Sequence, residues 1–541
     1  MGGSDPHPQA VRMLYNLSVR SASLFLLMIG TGGAQPVIGV WNSASSDPFG
    51  NLAPGTVVRI QLQNAPFLFA FDPSDVAVRF QADSDAIPRN LKLTYVSPSN
   101  WLEALLATDV PLGAAILTLV FSGQTSRPFA IQVVESRFGL YAVNSGVGPV
   151  KAAINGQLLG LTNPAHPGDE VTLQGTGRGV ASLESMSVLL AGHKVPVSGV
   201  YAGNSPGIDE VRFVVPEDPG IPEGCYVQIS VSIGVNTSNA GSIPTARSGS
   251  ACAHPFGLGL EEMRLLDSGG QLILGTAAIS STITILPQGG NLSRVETVSA
   301  LYLHYNAVNV ALAAPALVAD DRRLGCSVDE FRFGSSEGFF GNAFNVGDSV
   351  TLTGNGNTIQ LAGRPPFFSY AVLVSREGPV TSPDQFTESI FSPGVWQLST
   401  SGSDAVSPIF AQIQLPPQPR LLDFSSLRVI DRTQDLRVAW DPKGYTSTDT
   451  IDLMLSSGVA SPGSGFSSTL HDVRCRVAAA DGGVIIPASS MQVLAPDSTA
   501  RLQVGIASGQ RVVTSTPMVG AGVVRTLLGF NFDRGFRVSV Q

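Results

Sequence analysis

Ser336 stands at the centre of Gly334-Ser335-Ser336-Glu337-Gly338, the G-x-S-x-G spacing that puts a hydrolase nucleophile on a tight strand-to-helix elbow. The elbow needs a helix after the serine, and here Phe339-Phe340-Gly341-Asn342 leads toward another turn, so the pattern reads as a loop. Ser349, in Gly347-Asp348-Ser349, has the look of a lipase-type G-D-S motif. The same turn occurs twice more, as Pro54-Gly55-Thr56-Val57 and Pro167-Gly168-Asp169-Glu170, with Val57 and Glu170 in the serine's place. A repeated structural turn explains Ser349 better than a nucleophile does.

Other chemistry is equally thin. Gly175-Thr176-Gly177-Arg178-Gly179 is glycine-rich, but a phosphate cradle opens a helix, and none is signalled after it. Asp83-Ser84-Asp85 and Asp320-Asp321 offer oxygen ligands at far lower density than the six to eight that calcium takes, so both read as solvated turns. His166, His193, His254, His304 and His471 are isolated, and His471-Asp472, as neighbours in a strand, would face opposite ways. The sequence therefore supplies no catalytic, cofactor or metal assignment. Glycosidase carboxylates need only meet in space, which leaves a secreted hydrolase of polysaccharides or esters, with its site within 255–541, as the rival reading.

Two residue types remain. The four cysteines fit an oxidising compartment. Cys225 and Cys252 lie close in sequence and would close a short loop, leaving Cys326 and Cys475 for a longer one, although four cysteines allow three connectivities. No CxxC pair or suitably spaced histidine supports zinc. Trp41, Trp101, Trp396 and Trp440 are candidate platforms for a protein or carbohydrate ligand, because an exposed indole offers large area at low entropy cost, with a core position as the alternative for each; Trp101, after Ser97-Pro98-Ser99-Asn100, and Trp41 are the two singled out.

The elements that would position these residues are strands. Val57–Leu62, Val76–Phe80, Leu91–Val96, Ala115–Phe121 and Phe129–Val134 alternate apolar and polar residues between Gly, Pro, Asn, Asp and Ser punctuation. Trp101–Leu106 is the one stretch that reads as a helix or helical turn. Gly55 and Gly168 stand 113 residues apart, and Pro111-Leu112-Gly113 returns at nearly the same offset as Pro222-Glu223-Gly224. Two markers at one spacing indicate a tandem duplication of a sandwich of about 110 residues. The expected fold class is all-β, with tandem immunoglobulin-like β-sandwiches in a multidomain array.

The combination Tyr95-Val96-Ser97-Pro98, Gln124-Thr125-Ser126, Asn163-Pro164, Pro167-Gly168-Asp169, Gly175-Thr176-Gly177, Tyr201-Ala202-Gly203, Pro206-Gly207, Val214-Val215-Pro216 and Gly224-Cys225-Tyr226-Val227 resembles the Solibacter uncharacterised C-terminal domain family over residues 36 to 254. The resemblance implies an exported protein with IPT/TIG-like immunoglobulin-type sandwiches, and no assigned activity or site residue. The chain departs from that family at Asn100-Trp101-Leu102, where Gln-Ile-Asn is usual.

Address and composition agree with export. Arg12 and Arg20 precede the apolar run Ser23–Ile29, and Gly32 and Ala34 fit a signal-peptidase site. The run is too short for a bilayer, which takes roughly 20 residues. Asp5 and Pro8 are unusual ahead of such a run, and initiation at Met13 would remove both. Net charge is -9 without any Lys/Arg cluster, which argues against nucleic acid or an anionic membrane as partner. Charged residues at 13% are about half the usual share, as on many extracellular β-proteins. The expected plan is a signal peptide over 1–34, sandwiches over 35–134 and 135–254, a β-rich domain over 255–417 containing the third turn and a possible third sandwich, a linker at Gln418-Pro419-Arg420, and a last β domain to 541. The expected role is binding, adhesive or structural, outside the cell or on its surface, including the periplasm, with no membrane insertion once the leader is removed.

Overall fold

The computed structural model describes residues 37–541 except 46–50, 63–74, 98–99, 122–123, 145, 235, 286–290, 312–324, 333–341, 365–367, 423, 448, 461–467, 493, 495–497, 508–511 and 520–521. The expected leader, the Gly334–Gly338 pattern and Asp320-Asp321 lie outside the described residues.

The first module comprises β1 (Val37–Asn42), β2 (Asn51–Leu52), β3 (Val57–Leu62), β4 (Val76–Ala82), β5 (Arg89–Val96), β6 (Trp101–Leu105), β7 (Gly113–Phe121), β8 (Gln124–Thr125) and β9 (Phe129–Val133). They run in the order β1-β3-β6-β5-β4-β7-β9-β2, with β8 beside β7. β5 serves two layers, its Lys92–Val96 stretch pairing with β6 and its Arg89–Leu91 stretch with β4. The chain's first strands also divide: β1 lies antiparallel to β3, and β2 lies parallel to β9. This is the Greek-key connectivity of an immunoglobulin-like sandwich. Every second residue points inward, and Val58, Ile60, Val78, Phe80, Leu102, Ala104, Leu117 and Leu119 form its core, each large side chain worth roughly 1.5–3 kcal/mol of burial.

Trp101–Leu105 is a strand, not the expected helical turn. Leu102 and Ala104 face the core while Trp101, Glu103 and Leu105 face outward. Pairing to β3 on one side and β5 on the other satisfies its backbone, and that outweighs the helical preference of Leu-Glu-Ala-Leu.

The second module repeats the first. Glu170–Thr176, Met186–Leu190, His193–Ala202, Asp209–Val214, Gly224–Ile233 and Gly241–Thr245 take the places of β3, β4, β5, β6, β7 and β9. His193–Ala202 crosses between layers as β5 does, and Pro149 pairs parallel to Ser242 as Asn51 does to Gln132. The repeated turn has one job in both copies. Gly55 and Gly168 adopt φ of +80° and +90°, and their amides reach Leu106 O at 3.1 Å and Val215 O at 2.8 Å, just beyond β6 and its counterpart. Each turn thus ties the start of one strand to the end of its neighbour.

At Gly347 the turn opens something else. Ser349–Gly354 pairs with Asn357–Arg364 through the tight hairpin Asn355-Gly356, and with Gly394–Thr400, so it does not mark a third copy of the same module. Nor does a boundary fall at 417/418. Leu272–Ile285 pairs antiparallel with Leu292–Tyr305 and parallel with the last strand, Val523–Val540, which also pairs with Ser498–Ala507. One core, including Tyr302, Trp396, Leu453, Trp440 and Phe532, spans both expected domains. The presumed linker is structural: Gln418 and Pro419 O accept hydrogen bonds from Arg534, at 2.7 and 3.2 Å, whose burial lowers its pKa to about 10.

The cysteines form Cys225–Cys252 and Cys326–Cys475. The second joins directly opposed residues of Gly325–Arg332 and Ser468–Ala478. Near the first lies a helix, Leu260–Asp267, that apolar periodicity did not reveal. Its Met263 and Leu266 pack with Cys225, Cys252, Phe256, Leu272 and Leu527 in a core shared by the second module and the C-terminal domain. Asp267 accepts from Leu161 N and Thr162 N at 3.0 and 2.8 Å, and Glu262 binds Arg525 through both carboxylate oxygens at 3.0 and 2.7 Å.

Candidate binding face and module junction

The outer face of β1-β3-β6-β5 gathers both tryptophans singled out from sequence. Register sets Trp41 opposite Arg59, Arg59 opposite Glu103 and Glu103 opposite Tyr95, with Gln61 opposite Trp101 in the adjoining row. Trp101 is flanked from β3 by Arg59, whose Cζ lies 4.2 Å from the ring centroid, and from β5 by Tyr95, with centroids 4.9 Å apart. Arg59 also donates to Glu103 Oε1 from Nη2 at 3.0 Å and Nε at 3.3 Å. The indole is therefore neither a core side chain nor an open platform. It is the middle of a stack whose exposed member is Tyr95, 46% accessible. Trp41 lies half-buried over Gly39, where a Cβ would stand 2.3 Å from its ring; glycine leaves the room in which the indole lies flat.

A related arrangement on the second module was not read from sequence. Tyr201, 50% accessible, stacks with Arg212 at 4.3 Å. It lies opposite Glu210 as Tyr95 lies opposite Glu103, and over Gly199. Arg212 faces Glu170 and Glu210 at 3.8 and 4.0 Å. The signal was available in the Tyr and Glu at like distances in the two repeats, but without the register nothing distinguishes them from ordinary outward residues.

Between the faces lies a buried polar junction. Asn42 Nδ2 donates to Arg137 O and Thr176 O at 2.9 and 3.0 Å, and its Oδ1 accepts from Ala44 N at 2.9 Å. Thr176 Oγ1 donates to Gly207 O at 2.5 Å and accepts from Val57 N at 2.9 Å. Ser43 meets Tyr141 at 2.9 Å, and burial pushes that phenol up to about 12. The glycine-rich run now has a reason: Cβ atoms at Gly175, Gly177 and Gly179 would stand 2.2, 2.4 and 2.0 Å from Phe138, Arg137 O and Glu135 O. The connector between modules lies directly on this backbone.

Elsewhere several titratable residues are engaged in pairs. Asp85 meets Arg89 at 3.2 Å, His166 meets Asp169 at 3.4 Å, and His193 meets Asp218 at 3.3 Å. A shallow depression in the second module, lined by Pro167, Ile221, Pro222, Asp218, Glu223 and Arg247, has Glu223 joined to Arg247 at 3.0 Å. Among the described residues no group of three or more His, Cys, Asp or Glu is placed to hold a metal, and no helix is long and apolar enough to cross a membrane.

No family model matches the sequence, so the Solibacter resemblance rests on the motifs quoted above. No curated protein matches it either. Similar solved structures include domains 5-6 of the S-layer protein SbsC, at 13% identity over 39% of this chain and 99% of that one, with a TM-score of 0.19. Immunoglobulin domains 1-4 of Sidekick-1 match at 9% identity over 93% and 99%, TM-score 0.13, and the I9-I11 tandem of titin at 8% over 67% and 93%, TM-score 0.13. Superpositions this loose carry no argument, and the immunoglobulin-like connectivity stands on the chain's own strand pairing.

Proposed function

We propose that this is an exported, non-enzymatic β-sandwich protein with a structural or adhesive role, which holds its outward aromatic faces in fixed relative positions to bind extracellular carbohydrate. The observation that carries this reading is the junction. Asn42 and Thr176 are buried with their side-chain groups satisfied across two modules, and a flexible linker would need no such lock. Two disulfides fit an oxidising compartment, and the Solibacter-like motifs accord with export. Carbohydrate is favoured because Tyr95 and Tyr201 offer apolar ring faces beside Arg and Glu hydrogen-bonding groups, while the net charge of -9 disfavours polyanions.

The test is a glycan array probed with the mature protein, alongside Tyr95→Ala and Tyr201→Ala. Binding that weakens about tenfold in each variant, roughly 1.4 kcal/mol, supports the reading. Binding only to a protein partner would overturn the carbohydrate assignment, and turnover of polysaccharide or ester substrates would overturn the non-enzymatic one.

A further inference from the structure

The polar cluster inside the C-terminal domain holds, in one hydrogen-bonded set, the groups needed to join two side chains covalently. Glu296, on Leu292–Tyr305, is 0% exposed. Its Oε1 accepts from Ser389 Oγ, with Ser281 Oγ a further 3.4 Å neighbour whose proton goes to Gln418. Oε2 accepts from Ser375 Oγ at 2.7 Å and Ile390 N at 3.4 Å, which hold the carboxylate in place. Ser389 Oγ accepts in turn from Gln418 Nε2 at 2.6 Å. At the other end of that carboxamide, Oε1 receives Arg534 Nη2 at 2.7 Å and Ser281 Oγ at 3.1 Å. A guanidinium can only donate, so the amide orientation is fixed, with oxygen toward Arg534 and nitrogen toward Ser389.

We propose that Ser389 and Gln418 form an intramolecular ester, an inference independent of the carbohydrate-binding reading. Glu296 takes the Ser389 hydroxyl proton as Oγ attacks Gln418 Cδ. Negative charge develops on Oε1, where the Arg534 guanidinium and the Ser281 hydroxyl already point. The tetrahedral centre collapses with cleavage of the Cδ–Nε2 bond, the nitrogen takes the proton from Glu296, and ammonia leaves. One C–O bond forms and one C–N bond breaks; nothing is oxidised or reduced and no further reactant enters. The fold supplies the proximity that makes an unactivated amide reactive; Glu296 and Ser281 are fully buried, while Ser389 and Gln418 are themselves half-buried. The ester would close the loop between residues 389 and 418 and pin the connector Gln418-Pro419 beneath the last strand, adding a brace distinct from either disulfide.

Trypsin provides a direct readout, because Arg376 and Arg420 bracket a segment free of other Lys or Arg. The full chain is purified, digested and analysed by mass spectrometry. The peptide 377–420 is expected to be lighter than its sequence by one ammonia and to reopen with hydroxylamine. Its new N-terminal residue, Glu377, can cyclise only with loss of water, and the peptide contains no Asn to form a succinimide. Ser389→Ala and Glu296→Gln should each give the peptide at full mass. Ser389→Ala removes only a hydroxyl and keeps the comparison open if the buried Glu296 variant does not fold. A wild-type peptide at full mass, or an ammonia loss that survives Ser389→Ala, overturns the proposal.

Discussion

His254 shows how much one side chain can report about a junction. Its Nε2 meets Tyr226 Oη at 3.0 Å and its Nδ1 accepts from Phe256 N at 3.1 Å, within the region joining the second module to the C-terminal domain. Burial lowers its pKa from 6.5 to about 4. Between those values the unfolded chain binds a proton that the folded chain refuses. Its contribution is therefore constant above about pH 7, turns unfavourable as pH falls through 6.5, and levels off below about 4, a loss of roughly 3 kcal/mol. Thermal unfolding from pH 7.5 to 4 should be less steeply pH-dependent in His254→Phe than in wild type; parallel curves would show that other groups set the acid sensitivity. Trp101 makes a different point. Trp101→Ala should destabilise the first module by about 1–2 kcal/mol through loss of the Arg59 and Tyr95 stacks, read as a shift in denaturant midpoint, since its ring acts as packing as much as surface.

At the scale of elements, the glycine-rich exit from Glu170–Thr176 is a contact surface. Gly177 has φ +89° and backbone where a Cβ would go, whereas Gly156 has φ +80° with nothing within 4 Å. Gly177→Ala should therefore cost on the order of 3 kcal/mol and Gly156→Ala about 1 kcal/mol, measured as paired thermal unfolding curves. Equal effects would mean that backbone conformation alone, not the connector's close approach, demands the glycine. The strand Trp101–Leu105 carries the complementary lesson. Its five residues alternate by only two buried positions, Leu102 and Ala104, and so short a run is compatible with either period until neighbouring strands claim its backbone.

Across the molecule, covalent braces fall where the sequence brings distant parts together. The Cys225–Cys252 loop spans 27 residues and the Cys326–Cys475 loop 149. On chain entropy the two are worth about 3.5 and about 5 kcal/mol. Cys326→Ala/Cys475→Ala should lower the unfolding midpoint of the C-terminal domain more than Cys225→Ala/Cys252→Ala lowers it, as read by domain-resolved hydrogen exchange; the reverse order would show that the shared core near Cys225 is the more dependent on its bridge.

The sequence by itself determined five strands of the first module and the duplication that carries their plan into the second, because alternation at a period of two and turn glycines with positive φ are local requirements that each segment must meet alone. It also placed Trp41 and Trp101 as outward candidates and limited the four cysteines to three connectivities, among which the fold chose Cys225–Cys252 and Cys326–Cys475. Tertiary structure decided everything that depends on which strand lies beside which. It set Trp41 and Trp101 on one face and stacked Arg59 against the indole. It turned Gly347 into the start of a hairpin, joined Leu272–Ile285 to Val523–Val540 across most of the C-terminal half, and drew Gln418 from a presumed linker into contact with Ser389, Ser281 and Arg534. The physical reason is range. A turn or an alternating strand is specified by neighbours a few residues away, whereas a parallel partner or the hydrogen bonds of the Gln418 carboxamide are specified by groups from 29 to more than a hundred residues distant, about which the local pattern carries no information.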